Sequence, residues 1–323
     1  MLSVTPQEIV FTASGSEADN MAIRGALKIN PEKKHIIISS VEHPAVYKLA
    51  KELEAEGYSL TLIPVDHEGQ LDLAALEKTI DESTALVSIM YANNETGVVF
   101  QIKKISEIAK QQKVLFHIDA VQAPGKVKID LQNVQADFLS ISAHKFHGPK
   151  GVGALYINKK INLPPFIIGG GQERGRRAGT ENVSGIVGLG RASELASIDL
   201  IKNTSDIQNM RDHLETAIEK KISNVHINGR NAIRVPNTSS ISFKDIDASI
   251  LILLLNEINI SVSLGSACNS GVHKPSRVLT AMGINEKLAM STVRFSLSRF
   301  TKEAEIELVT DKLPGLIEKA RLK

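Results

Sequence analysis

Apolar residues along this chain fall into short, nearly continuous runs separated by stretches with helical spacing. Residues 8–13 (EIVFTA), 35–40, 58–65, 84–92 and 114–121 have the length and composition of strands. Helical segments are predicted between them at 17–27, with Met21, Ile23 and Leu27 among the apolar positions, and at 44–57, 72–80 and 102–112. Punctuation supports the boundaries: Ser14, Gly15 and Ser16 lead into the first helix, Pro44 opens the second and Gly57 stands at its end. The βαβαβ order predicts parallel, buried strands, and two further apolar runs at 136–143 and 152–157 extend the same sheet.

After Gly169, Gly170 and Gly171 the pattern changes. Long helical stretches at 183–202 and 206–221 are followed by short strands at 225–228 and 239–243. A helix at 247–257, strands at 260–264 and 292–297 and a last helix from Glu303 complete the chain. Pro314 is expected to kink or end that helix. The prediction is an α/β chain, a mostly parallel sheet with flanking helices over residues 1–200, plus a smaller C-terminal α+β domain over 201–323.

Composition narrows the chemistry. The 323 residues, 42% hydrophobic and 23% charged, are those of an ordinary globular protein, not a collagenous, mucin-like or disulfide-scaffold chain. A net charge of +2 gives no bulk attraction for nucleic acid, leaving only a local basic patch, and no stretch reaches the roughly 20 apolar residues of a membrane helix, so neither nucleic acid nor membrane is expected as a partner. One cysteine forms no intramolecular disulfide and no multi-cysteine metal site, which points to a reducing, cytoplasmic setting and to no metal. The start of the chain does not read as a signal peptide, because Gln7 and Glu8 interrupt its apolar run.

In a parallel α/β sheet, ligands sit outside the carboxyl ends of the strands. Past the first strand come Gly15 and Ser16 at a helix N-terminus, where free N–H groups suit a phosphate. Past later strands come His43, then Asn94 in NNETG, then Asp119 and Gln122, then Ser142, His144 and Lys145. Taken singly these are turn residues, caps and surface groups; their joint placement is the signal. A phosphate cradle, an aromatic stacker, a strand-end Asp and a strand-end Lys are what pyridoxal 5'-phosphate needs. On its own Lys145 could equally be a surface lysine, and Cys268 a buried apolar residue, although Gly265, Ser266, Asn269, Ser270 and Gly271 make its surroundings a polar loop. The glycines from 148 to 153 precede a strand where a dinucleotide fingerprint must follow one. Arg174, Arg176 and Arg177 read as part of an active-site loop beside a phosphate and a carboxylate rather than as an RNA patch.

The strings FTASGSEADN, EHPAV, NNETG, HIDAVQ, SISAHKFHGPKGVGALY, GGGQERGRRAGTEN, SLGSACNSG and VRFSLSRFT resemble, in order and spacing, the cysteine desulfurases of the NifS/IscS type within the class V aminotransferases. The resemblance implies the fold type I of pyridoxal-phosphate enzymes. By the same resemblance Lys145 is the Schiff-base lysine, Asp119 the partner of the pyridine nitrogen, Gln122 the donor to the phenolic oxygen and His43 the ring stacker and a proton carrier. Gly15, Ser16, Ser142 and His144 match phosphate contacts. Thr180 matches a threonine that reaches the phosphate of a neighbouring subunit, which implies a homodimer. Asn94, which also borders the cofactor, and Arg294 match the residues that hold the substrate carboxylate, and Cys268 matches the nucleophile. Ser14, where the family usually has Gly, and His273 with Lys274, where an acidic residue is common, depart from the pattern outside the core chemistry.

The implied reaction converts L-cysteine to L-alanine and leaves sulfur on Cys268 as a persulfide, for an iron–sulfur scaffold or a tRNA thiolation enzyme. Selenocysteine lyase, an aminotransferase, and a non-catalytic relative that keeps only the fold are the competing readings. Family members carry roughly sixty further residues, with an Asn-Ala-Ala-Thr motif, ahead of the first strand found here. The expectation is that this chain as written binds cofactor and turns over cysteine less well than a version extended by such a segment.

Overall fold

The computed structural model describes residues 1–202, 204–265 and 274–321. Cys268 and His273 therefore lie outside the described residues. The chain divides into two compact units, one of Met1–Pro64, Leu71–Ala92 and Phe100–Leu200, the other of Val65–Gln70, Asn93–Val99 and Ile201–Lys323.

The first unit alternates strand and helix: β1 (Ile9–Thr12), α1 (Gly15–Ile29), β2 (His35–Ser39), α2 (Pro44–Ala55), β3 (Ser59–Ile63), α3 (Leu73–Thr79), β4 (Thr84–Met90), α4 (Ile102–Gln111), β5 (Leu115–Asp119), β6 (Phe138–Ser142), β7 (Gly153–Ile157) and α5 (Val183–Lys202). The seven strands form one sheet in the order β1-β7-β6-β5-β4-β2-β3. From β3 to β6 every pairing is parallel, and only β7 runs against its neighbours, antiparallel to both β6 and β1. Not every strand in the series is buried as expected: β3 is the sheet edge and only Ile63 in it is sealed from solvent.

Two antiparallel pairings in succession restore the direction of β6 in β1. The carboxyl ends of β1, β2, β4, β5 and β6 therefore share one edge of the sheet. The register makes this concrete, because Thr12 faces Gly153 and Gly153 faces Ser142, while Met90 faces Asp119 and Asp119 faces Ser140. Helix α1 lies on the sheet and buries Met21, Ile23, Ala26 and Leu27 among Val10, Ile36, Leu86, Phe138 and Leu155. Each of the larger side chains removed from water, Met21, Ile23 and Leu27, contributes about 1.5–3 kcal/mol, so α1 and the turn that starts it are firmly seated.

The second unit contains α6 (Thr204–Lys221), β8 (Val225–Ile227), β9 (Thr238–Phe243), α7 (Ala248–Glu257), β10 (Ser263–Leu264), α8 (Arg277–Ala281), α9 (Glu286–Met290), β11 (Thr292–Ser296) and α10 (Glu303–Arg321). Its sheet is antiparallel in the order β10-β11-β9-β8, and Phe243, Leu251, Leu255, Val293, Phe295, Ile306 and Leu313 form its core. Pro314 does not end the last helix, which runs on to Arg321. A proline lacks the N–H that would bond the carbonyl four residues back; here that carbonyl, on Thr310, accepts from Lys221 Nζ at 3.1 Å. Segment 93–99 is tied into this unit. Val98 bridges Arg234, Val99 N donates to Ile233 O at 2.8 Å, and Val235 N donates to Gly97 O at 2.8 Å. Arg234 is held in turn by a buried two-pronged pair with Glu215, at 2.6 and 2.8 Å.

Candidate active site

The edge of the first sheet gathers most of the candidate residues. Ser14 caps α1 by accepting from Glu17 N at 3.1 Å, and its carbonyl accepts from Ala18 N and from Thr12 Oγ1. The N–H groups of Gly15 and Ser16 stand at the open end of the helix, where no preceding turn supplies acceptors. A Cβ on Gly15 would lie 2.7 Å from Val121 Cγ2 and 3.3 Å from Ser142 Cβ, and one on Gly153 would lie 2.8 Å from the main chain of Ser14 and of Ile141. These two glycines let the turn close against the ends of β5 and β6. The result is a cradle of backbone donors beside a buried serine, a donor set that suits a phosphate.

Asp119 ends β5, 5% exposed, and its Oδ1 accepts from Val121 N at 3.0 Å. Burial pushes its carboxyl up to about 6, against the opposing pull of the Val121 hydrogen bond and the positive charge of Lys145. A cationic ring nitrogen placed against such a carboxyl would restore its ionised form. Lys145 itself is exposed, in the short 3-10 turn Ala143–Phe146 that follows β6. Gln122 accepts from Lys126 Nζ at 2.8 Å through Oε1, which leaves its amide nitrogen as a donor. His43 is exposed at the start of α2, and its Nδ1 accepts from Ala45 N at 3.1 Å. That bond requires Nδ1 to be unprotonated and so puts the proton of the neutral ring on Nε2. Ser142 Oγ and His144 Nδ1 are 3.0 Å apart, and burial, with Lys145 and Lys150 nearby, lowers the His144 pKa.

Behind Asp119 the first unit holds a sealed polar layer that pattern reading missed. His117 is fully buried, with Nδ1 2.8 Å from Ser88 Oγ and Nε2 2.9 Å from Ser140 Oγ. Asp19 from α1 lies beside it, and Glu42 takes Ser39 Oγ at 2.5 Å and Met90 N at 2.9 Å. A histidine and an aspartate on the inner face of an otherwise apolar strand and helix were the available signal.

The arginines after the GGG run are engaged with protein groups rather than set out for a phosphate or carboxylate ligand. Arg177 forks onto Glu17, with Nε to Oε1 at 2.8 Å and Nη2 to Oε2 at 3.2 Å. Arg174 donates to the carbonyls of Pro6, Gln7 and Ile9, and Arg176 to that of Gln7. Thr180 is exposed and lines a small cavity with Phe11, Thr12 and Ala13, next to the strand that delivers Gly15.

Asn94 and Arg294 are together in the second unit. Arg294, on β11, donates from Nη1 to Asn94 O at 2.7 Å. Its Nε is buried with no hydrogen-bond partner among the described residues, and burial lowers its pKa while Glu95 opposes that shift. A guanidinium with an unused donor in a poorly solvated place is suited to a carboxylate. Cys268 cannot be placed against any of these groups, since it lies outside the described residues. No group of three or more metal-ligating side chains occurs among the described residues, and no helix there is long and apolar enough to cross a membrane.

This architecture, with a glycine turn at a helix N-terminus, a strand-end Asp and a following Lys along one sheet edge, is that of the pyridoxal-phosphate enzymes of fold type I. The class-V aminotransferase family model matches residues 1–309, and the chain belongs to that family, whose cofactor is pyridoxal 5'-phosphate. Among curated relatives it is 48% identical over 321 residues to a cysteine desulfurase of Nostoc sp., covering 99% of this chain and 80% of that one. It is 45% identical to the cysteine desulfurase NifS of Azotobacter vinelandii over 314 residues, covering 97% of this chain and 78% of that one. Among solved structures, a NifS-like protein superposes with a TM-score of 0.92 at 38% identity, covering 98% of this chain and 84% of that one.

Proposed function

We propose that this chain is a cysteine desulfurase that converts L-cysteine to L-alanine and captures the sulfur as a persulfide on Cys268. The observation that carries the reading is the alignment of Gly15, Asp119, Ser142 and Lys145 along one sheet edge, in a chain 48% identical to a cysteine desulfurase. When bound, pyridoxal phosphate supplies an electron sink for the pair left as the substrate loses its Cα proton. In this reading Gly15 and Ser16 N–H, Ser142 Oγ and His144 hold the phosphate. Asp119 would keep a proton on the ring nitrogen, Gln122 would donate to the phenolic oxygen, and His43 would stack on the ring, its neutral form carrying the proton on Nε2.

Lys145 would anchor the cofactor, and its Nζ, as a free amine, would be the group that takes the Cα proton. Asn94 and Arg294 hold the substrate carboxylate. The Cys268 thiolate attacks the substrate sulfur, forming the S–S bond as the Cβ–S bond breaks. The balance is L-cysteine plus a protein thiol giving L-alanine plus a protein persulfide, with no external oxidant. Thr180 is assigned to the phosphate of a second copy in a homodimer. A sulfur acceptor, either an iron–sulfur scaffold or a tRNA thiolation enzyme in the cytoplasm, then takes the persulfide.

The test is to incubate the holoenzyme with L-cysteine and measure alanine together with persulfide on the protein. Equal amounts of both in a single turnover are expected, and a keto acid product without persulfide would reject the reading.

A further inference from the structure

The NNETG loop places Glu95 directly after Asn94, and sequence reasoning gave it no role. Its backbone N donates to Asn93 Oδ1 at 2.9 Å, and its side chain turns into the second unit. There Oε2 accepts from Ser276 Oγ, and that same hydroxyl caps α8 by accepting from Leu279 N at 3.2 Å. The Arg294 guanidinium on β11 and that of Arg277 on α8 are the charged groups that act on it. A Cβ built on Gly265, just after β10, would lie 3.7 Å from Glu95 Oε2. One carboxyl therefore sits where four pieces of the unit meet: the Asn94 loop, the end of β10, the start of α8 and the arginine of β11.

Arg294 has one prong fixed on Asn94 O and a buried Nε with no hydrogen-bond partner among the described residues, so what it offers a bound carboxylate depends on whether a second negative charge competes for it. We propose that Glu95 is a positioning residue that sets the charge Arg294 presents to an anionic substrate group, and that Ser276 holds it in place for this. The inference rests on reading Arg294 as the carboxylate-binding residue. Burial raises Glu95 to about 7, with Ser276, Arg294 and Arg277 all pulling the other way. Below that pH Glu95 is neutral and Arg294 keeps its full attraction for a carboxylate. Above it Glu95 is ionised and part of that attraction is already satisfied.

The test uses propionate, a carboxylate with neither amine nor thiol, bound to the holoenzyme and followed by the cofactor absorbance band. Wild-type affinity should fall roughly three- to tenfold from pH 6 to pH 8, the scale of one charge acting near another in a partly buried place. Glu95→Gln keeps the acceptor for Ser276 and should hold the wild-type low-pH affinity at both values. Ser276→Ala removes a bond that favours ionised Glu95, so the fall should persist with its midpoint at higher pH, which a merely structural role would not produce. A Glu95→Gln profile parallel to wild type would overturn the inference while leaving Arg294 in its role. Unchanged propionate binding in Arg294→Ala would instead overturn the carboxylate site itself, and the inference with it.

Discussion

Asp19 Oδ1 lies 3.6 Å from His117 Nε2, with the two side chains 2% and 0% exposed, yet the contact is not an ion pair. Burial alone drives the His117 pKa down to about 3, and burial together with the charges of Asp119 and Glu42 drives Asp19 upward. Both shifts favour the uncharged form of each partner, which is why the close contact does not amount to an ion pair. His117 is instead satisfied by Ser88 and Ser140, whose hydroxyls rotate to serve either tautomer.

This arrangement predicts the sign of a pH effect on the apoprotein. A histidine whose folded pKa is depressed contributes stability that is present above its unfolded pKa, near 6.5, and is lost as pH falls toward the folded value of about 3. Asp119, raised to about 6, acts oppositely: its contribution is present below its unfolded pKa and is lost as pH rises through 6. His117→Asn should remove the first effect, so the variant should lose up to about 2–3 kcal/mol less than wild type between pH 7 and pH 4.5. Urea unfolding of both apoproteins at the two pH values measures this. Equal losses would mean that His117 is protonated in the folded protein.

Lys145→Ala is expected to abolish covalent attachment of the cofactor. Borohydride treatment followed by peptide mapping should label the peptide containing Lys145 in the wild type and no lysine in the variant. A label on another lysine would remove Lys145 from its role.

Gly15→Ala tests the proposed phosphate-binding role of the turn at the start of α1 without touching a charged group. A Cβ 2.7 Å from Val121 Cγ2 must shift the turn or the valine. Cofactor affinity measured by fluorescence titration should weaken by about tenfold or more, with a smaller change in apoprotein stability, on the order of 1–3 kcal/mol for overpacking. The double variant Gly15→Ala/Val121→Ala should recover part of the affinity if the clash is the cause.

Much of the placement of the candidate residues along one sheet edge was legible in the sequence, because strand-end rules need only strand boundaries, and those were marked by runs such as HIIIS and FLSIS. Gly15, Asp119 and Ser142 follow from that alone. The reversed direction of β7 was legible but overlooked, since residues 143–152 are shorter than the dozen or so that a parallel crossover requires. Short helices α8 and α9 were hidden because five residues show no periodicity, and only the caps Ser276 and Asn285 mark them. Glu95 was not legible at all. Its meaning comes from Ser276 and Arg294, residues far along the chain that only the folded second unit brings to it. The arginines after GGG misled for a similar reason, as their partners Glu17, Gln7 and Ile9 lie at the other end of the first unit's sequence.

Cys268→Ala gives the most direct test of the central claim that deprotonation and sulfur capture use different residues of this chain. In stopped-flow spectroscopy with L-cysteine, the variant holoenzyme should still bind substrate and change the cofactor band at a rate within a few-fold of wild type. It should then release alanine at least about a hundredfold more slowly and carry no persulfide. Alanine release at the wild-type rate from Cys268→Ala would contradict the account.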